Sequence, residues 1–362
     1  MKAFGYIGRM LRDLLLAANI IVSACYLVSA YSPYINPAEH RFLSCMGFLF
    51  PIFAVLCICF VIGWLVVKPW FALIPLVTMI FGWDSLTTYY SIGGTHKAKG
   101  ETIKLLTWNT QGKLFSFKEK DMSDNLALNY VLASEADIVC LQEYNAGNEK
   151  LRKKVDGAFA KTYPYRQHVK FDSGNGVVCL SRFPIVSSER IRFESKTNGS
   201  AMYRIKIDSD TLLLVNNHLE SNKISIVDKE EYGRMLKSKS RDTIKSTGKH
   251  LFRKLADAAA LRAPQADSVA AAIERNKTKF MVVCGDFNDS PISYAHHTIG
   301  RGMTDAFSAS GKGVGFTYND ASMYFRIDHI FASEAIRVTE CEVDRSIEVS
   351  DHYPIWAILS LF

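Results

Sequence analysis

Two long uncharged apolar runs open the chain. Residues 14–31 carry no charge over 18 positions, and residues 42–67 carry none over 26. A helix needs about 20 mostly apolar residues to cross the hydrocarbon layer of a bilayer, so both runs are read as spanning helices. A third run, residues 70–83, is 14 residues long, contains Pro75 and is closed by Asp84. Alone it falls short of crossing. Extended through Tyr90 it reaches 21 residues, with Tyr89 and Tyr90 as an interfacial aromatic belt. The expectation is three spans, at about 14–31, 42–67 and 70–90. A re-entrant segment is the alternative for the last.

From about residue 101 the pattern changes to short apolar runs. Residues 103–108, 137–142, 177–181, 212–217 and 280–285 have strand length and β-branched or aromatic content. Residues 325–332, 336–343 and 354–361 add three more. Residues 122–135 read as a helix, and the Ala-rich residues 251–273 as another, broken near Pro264. Strands interspersed with helices indicate an α/β or α+β sandwich, two sheets face to face with helices outside.

Composition sharpens the division. The 362 residues are 48% hydrophobic and 22% charged, which excludes a disordered, collagen-like or disulfide-dense chain. Residues 1–95 hold five Lys/Arg and three acids, whereas the remainder holds 38 and 33. The chain therefore divides into a transmembrane anchor, 1–95, and a water-soluble domain, 96–362. Lys2, Arg9 and Arg12 outnumber the charges of residues 32–41, which puts the N-terminus in the cytoplasm. Three spans then place the soluble domain outside the cytoplasm, periplasmic or extracellular; two would leave it inside. The eight cysteines show no CxxC or metal-ligand spacing and read as packing residues.

The residues that end the strand-like runs carry the chemistry. Asn109 follows Leu105-Leu106-Thr107-Trp108, and Glu143 follows Ile138-Val139-Cys140-Leu141-Gln142. His218 follows residues 212–217, and Asp286 follows Met281-Val282-Val283-Cys284-Gly285 with Asn288 two further on. Any one of them is by itself a turn former or a helix cap. Two acids, an amide and a histidine at the ends of strands in one core indicate a shared cleft. Asp328 sits inside the apolar run Arg326-Ile327-Asp328-His329-Ile330-Phe331, where a carboxylate is costly unless paired. Ser350-Asp351-His352 adds an acid and a histidine before the last run.

At these residues the sequence resembles the endonuclease/exonuclease/phosphatase superfamily, the fold of DNase I. Thr107-Trp108-Asn109, Leu141-Gln142-Glu143, Asn217-His218-Leu219, Gly285-Asp286-Phe287-Asn288, Arg326-Ile327-Asp328 and Ser350-Asp351-His352 appear in that family's order. Gly176 to Pro184 also looks like the family's strand and turn. The resemblance covers residues 103–362. It implies a four-layer α/β sandwich and a divalent-metal phosphohydrolase acting on phosphodiester or phosphomonoester bonds.

Such hydrolysis builds negative charge on phosphate oxygens and on the leaving oxygen, and needs a water held in line. Mg²⁺ suits it, with Mn²⁺ as the alternative ion, because hard oxygen ligands hold either beside a phosphate. Glu143 is the leading metal ligand, and the resemblance implies that Asn109 and Asp351 assist there. Asp286 orients or deprotonates the attacking water, and Asn288 donates to water or phosphate. His352, held by Asp328, acts as base or as a phosphate-binding cation. His218 donates to phosphate or assists the leaving group. Asp289, His296, His297 and His329 are expected to be bystanders. Asn217-His218-Leu219 looks more like the DNase I, sphingomyelinase and phosphatase branches than the base-excision endonucleases.

Residues 222–262 hold eleven Lys/Arg and five acids. They suit a solvated helical face, anionic lipid headgroups or a nucleic-acid groove. The expected substrate is thus a phosphate ester, whether nucleic acid, phospholipid headgroup or phosphorylated metabolite, with the bilayer as the other partner. The competing expectation is a catalytically inactive binding or scaffold protein on the same fold.

Overall fold

The computed structural model describes residues 2–98, 100–116, 122–145, 147 and 149–362. At its start, helix α1 (Lys2–Ala30) is followed by α2 (Pro37–Ser44), a 3-10 turn (Cys45–Leu49) and α3 (Phe50–Val67). The stretches Tyr6–Ala30 and Pro37–Val67 are long and apolar enough to cross a membrane. The third run is not one straight span. It forms α4 (Leu73–Phe81) and α5 (Trp83–Tyr89), which meet at 69°. Tyr26 of α1 fixes this bend: its Oη donates to the carbonyl of Gly82 at the joint, at 3.1 Å. The described residues therefore hold two candidate spans, or three when the bent pair crosses as one.

The remaining chain builds two six-stranded sheets. The first contains β1 (Thr102–Asn109), β2 (Ile138–Gln142), β3 (Tyr165–Lys170) and β4 (Gly176–Ser181). The second draws on β5 (Ile185–Ile191), β6 (Gly199–Ile207), β7 (Asp210–His218), β8 (Phe280–Asp286), β9 (Thr304–Asp305) and β10 (Asp328–Ala332). The chain then returns to the first sheet with β11 (Ile336–Val343) and β12 (Ile355–Leu361). The orders are β11-β12-β1-β2-β4-β3 and β9-β10-β8-β7-β6-β5. Among the described residues only β1–β2 and β7–β8 pair in parallel. Alternate residues of both sheets, among them Leu105, Cys140, Cys179, Tyr203, Leu214, Cys284 and Ile330, bury one apolar layer between them.

Helices cover the outer faces and complete four layers. On the first sheet lie α6 (Leu126–Ala133) and α7 (Glu149–Phe159), which bury Val131, Val155 and Phe159. The helix expected over 122–135 starts late because Asn125 caps it, accepting from the Leu128 N–H at 2.8 Å. On the second sheet α8 (Ile226–Lys237) precedes α9 (Arg241–Arg275), whose Ala266, Val269 and Ala272 pack on Val215, Met281 and Val283.

Helix α9 corrects the expected break at Pro264, for it runs through that residue over 35 positions. The residues flanking the proline, Arg262, Ala263, Gln265 and Ala266, are all buried. That packing on both sides outweighs the hydrogen bond the proline cannot donate. The run 325–332 likewise divides into a hairpin arm, Met323–Phe325, and β10.

The apolar N-terminal helices pack directly on the sandwich. Arg41 pairs with Asp257 of α9 at 2.7 Å, and Cys45 packs against Ala256 and Ala259. Gly47 lies so close to the Ile292 carbonyl that an added Cβ would stand 1.9 Å from its oxygen. Arg326, fully buried, donates to the carbonyl of Thr88 at the end of α5.

Candidate active site

Strand register assembles the site. Across the second sheet Asp328, Asp286 and His218 are neighbours on β10, β8 and β7. In the first sheet Asn109 stands beside Gln142, and Glu143 follows at once in a left-handed conformation, φ 56°. β7 and β8 approach so tightly that a Cβ on Gly285 would lie 2.2 Å from the Asn217 carbonyl oxygen, which is why glycine precedes Asp286. Trp108 donates its indole N–H to the His352 carbonyl at 2.8 Å, and Ser350 Oγ donates to the Asn109 carbonyl at 2.8 Å. These two bonds fasten the 350–352 loop over the end of β1.

One cleft of about 200 Å³ results, lined by Asn109, Glu143, His218, Asp286, Asn288, Asp351 and His352. Asp328 stands behind His352. All eight residues expected from the sequence therefore meet at one place. Asp286 is fully enclosed: Oδ1 accepts from the Asn288 backbone at 2.7 Å, and Oδ2 from Asn109 Nδ2 at 2.9 Å and Asn288 Nδ2 at 3.1 Å. The Asn109 amide also donates to Glu143 Oε1 at 3.3 Å, so one side chain ties two carboxylates together. Its own oxygen accepts from the Gln111 N–H, and Gln111 Nε2 donates to Asp351 at 3.1 Å.

The two histidines differ in environment. His352 Nδ1 lies 2.8 Å from Asp328 Oδ2, and its Nε2 lies 3.8 Å from Asp286 Oδ2. Burial pulls this imidazole down, but the Asp328 and Asp286 carboxylates outweigh it and push its pKa up to about 10. His218 Nε2 stands 3.7 Å from Asp286 and 3.8 Å from Glu143, beyond hydrogen-bond distance of either. Burial dominates there and lowers its pKa, and its Nδ1 is buried with no hydrogen-bond partner among the described residues. Burial likewise pushes the Asp286 carboxyl up, against the pull of His352.

The donor set fits a hard divalent cation. Burial raises the Glu143 carboxyl, and Asp351 adds to the rise. Among the described residues no Lys or Arg pairs with Glu143. A carboxylate so placed, with acids and amides around it, has the chemistry that a hard divalent cation selects. Asp286, Asp328 and His352 also bring ligand atoms within 4.8 Å of one another. Nδ1 of His352 is already engaged by Asp328, however, so this buried group is an ion-paired cluster built around the His352 imidazole.

Several neighbours had no signal in the sequence. Phe48, from an apolar run, lines the cleft beside Lys229 and Tyr318. The Tyr318 ring lies 5.3 Å from that of His352. Arg262, counted with the basic segment, is buried and pairs with Asp289 at 3.0 Å while donating to the Glu220 carbonyl and to Asn222. Asp289 thus has a structural partner, as do His296, which pairs with Asp305, and His329, bonded to the Asp289 carbonyl.

A two-sheet sandwich with acids, amides and two histidines gathered at its strand ends is a DNase I-like α/β fold. Residues 106–352 match the family model described as the Endonuclease/Exonuclease/phosphatase family, and the chain belongs to that family, whose members are phosphoester hydrolases. Residues 12–89 match a second model, described as a domain of unknown function (DUF8431). Among solved structures the chain is similar to D. rerio TDP2 humanized by 14 mutations, with 16% identity over 72% of this chain and 99% of that one, TM-score 0.49. It is also similar to the human Nocturnin catalytic domain with bound sulfate anion (15%, 74% and 97%, TM-score 0.49). A Bacteroides thetaiotaomicron protein of the same family gives 17% identity, 73% and 96% coverage and TM-score 0.48. No curated protein matches the chain.

Proposed function

We propose that the chain is a membrane-anchored, divalent-metal-dependent phosphoesterase that hydrolyses phosphodiester or phosphomonoester bonds. Residues 1–95 serve as the anchor and 96–362 as the catalytic part. The observation that carries this reading is the Asn109 bridge, which holds the Asp286 and Glu143 carboxylates side by side in a cleft that also contains two imidazoles.

The residues divide the work. Asp286, with its carboxyl raised toward neutrality, takes a proton from water as the water oxygen bonds to phosphorus. The phosphorus–ester-oxygen bond breaks, and the departing oxygen takes a proton from solvent. His352, kept protonated by Asp328, offers a charged N–H to phosphoryl oxygens, which favours the cation role over the base role. His218, neutral by burial, offers a neutral imidazole to the same oxygens. Asn288 and Asn109 hold Asp286 in place without charging it. Glu143 would hold the cation, with Asn109 and Asp351 alongside; that ion would supply positive charge against the phosphate and leaving oxygens.

The test is a panel of bis(p-nitrophenyl) phosphate, p-nitrophenyl phosphate, supercoiled DNA and phospholipid given to the full chain with Mg²⁺, Mn²⁺ or EDTA. Metal-dependent turnover of at least one substrate is expected. Turnover of none, or turnover that survives EDTA, contradicts the reading.

A further inference from the structure

One wall of the cleft is apolar, and part of it comes from the N-terminal helices. Phe48 lies in the turn Cys45–Leu49, two residues before α3, and lines the same cleft as Glu143 and His352. Its ring stands edge-on to Phe325, with centroids 6.1 Å apart, and Leu255, Ile224 and Ile327 continue the surface. The turn that carries it is fixed to the sandwich by Cys45 against Ala256 and Ala259 and by the close contact of Gly47 with Ile292. The apolar wall is thus a built part of the cleft.

The wall also runs toward a segment long and apolar enough to cross a bilayer. Phe50 opens α3, a helix with no charged residue, and the stretch that contains it is a candidate span. Two and three residues after Ile224 in the chain, Ile226 and Val227 are exposed by 76% and 60%. Apolar side chains left in water beside an acidic catalytic cleft gain nothing from a soluble sugar or metabolite phosphate. They gain from contact with hydrocarbon. Of the eleven basic residues in the segment 222–262, Lys229 alone is among the described residues lining the cleft, and Asp320 pairs with it, which weakens the segment's fit to a phosphate-tracking groove for nucleic acid.

We propose that the substrate is a phosphate ester whose alcohol carries a hydrocarbon chain and is presented from the bilayer, with Phe48 receiving the start of that chain. This inference rests on the metal-dependent phosphoesterase reading and on the anchoring role of residues 1–95. Hydrolysis adds water across the phosphorus–oxygen bond: the water oxygen stays on phosphorus, and the lipid-side or headgroup alcohol leaves with a proton. Phe48 is a specificity-determining residue and takes no part in the bond changes.

The experiment uses the full chain in detergent micelles with Mg²⁺. Three substrates are compared: mixed micelles of long-chain phosphatidylcholine, phosphatidylethanolamine, phosphatidylglycerol and phosphatidic acid; bis(p-nitrophenyl) phosphate; and single-stranded DNA. Phospholipid is expected to have the highest kcat/KM. In Phe48→Ser the ratio of lipid to chromogenic turnover should fall about tenfold or more, as for loss of apolar contact in a specificity pocket, and Phe48→Leu should restore most of it. Hydrolysis of the chromogenic ester without phospholipid turnover, faster hydrolysis of DNA than of phospholipid, or an unchanged ratio in Phe48→Ser each overturns the lipid assignment and leaves the phosphoesterase reading standing. Turnover of none of the three overturns both.

Discussion

Asp328 stands directly opposite Asp286 across two antiparallel strands, and the His352 imidazole bridges the pair, bonded to Asp328 at 2.8 Å and 3.8 Å from Asp286. Two fully buried carboxylates at adjacent positions repel one another unless a cation lies near both. His352, whose pKa both carboxylates push up, is proposed as that cation, with Asp328 acting through it as a positioning residue. Asp328→Asn keeps the shape and removes the charge. It is expected to lower kcat about a hundredfold or more and to move the His352 titration, followed by NMR, down from about 10. An unmoved titration would separate the two residues.

Asn109 ties Glu143 to Asp286. Without that amide the two acids face each other unbridged, and Glu143, the carboxylate proposed to hold the cation, loses its orientation. Asn109→Ala should weaken Mn²⁺ binding in calorimetry about 10- to 100-fold, the usual cost of losing an outer hydrogen bond to a ligand. Unchanged affinity would show that Glu143 needs no such support.

Much of this site was legible because strand periodicity and strand-end chemistry are both local signals. The runs that lead into Asn109, Glu143, His218 and Asp286 became β1, β2, β7 and β8, and these four residues meet at one cleft. What escaped were contacts between distant parts of the chain. The bend at Gly82 depends on Tyr26, 56 residues earlier. The unbroken α9 depends on Arg262 and Gln265 being buried against loops from other elements. Phe48 read as one more apolar residue of a spanning run, since hydropathy records no direction. Arg262 counted as surface charge because composition records no burial.

The contact between the N-terminal helices and the sandwich is open to test at Gly47. No side chain fits there without displacing the Ile292 backbone. Gly47→Val should destabilise the full chain by about 1–3 kcal/mol in thermal unfolding, the usual cost of overpacking a filled site. A neutral effect would indicate that the helices separate from the sandwich.

Acid stability should turn on Asp305. Burial acts to raise its carboxyl, but the His296 hydrogen bond and the charges of His296 and Arg326 outweigh it and hold it well below the usual range. A carboxyl lowered in the folded state binds its proton more readily once unfolded. It therefore contributes stability above the unfolded value of about 3.9, and that contribution is lost as pH falls through the folded value. Unfolding temperature should hold between pH 7 and pH 5 and drop below about pH 4, with a smaller drop in Asp305→Asn. An identical acid limb in that variant would place the sensitive group elsewhere.

The most direct test is hydrolysis of bis(p-nitrophenyl) phosphate by the full chain with Mg²⁺, wild type against Glu143→Gln and Asp286→Asn, with thermal unfolding measured on each. Both variants are expected to lose about a hundredfold or more in kcat/KM while unfolding at or above the wild-type temperature, because each removes a buried or half-buried like charge. Wild-type rates in either variant, or a wild-type rate untouched by EDTA, would contradict a cleft in which Glu143 holds the cation and Asp286 takes the proton.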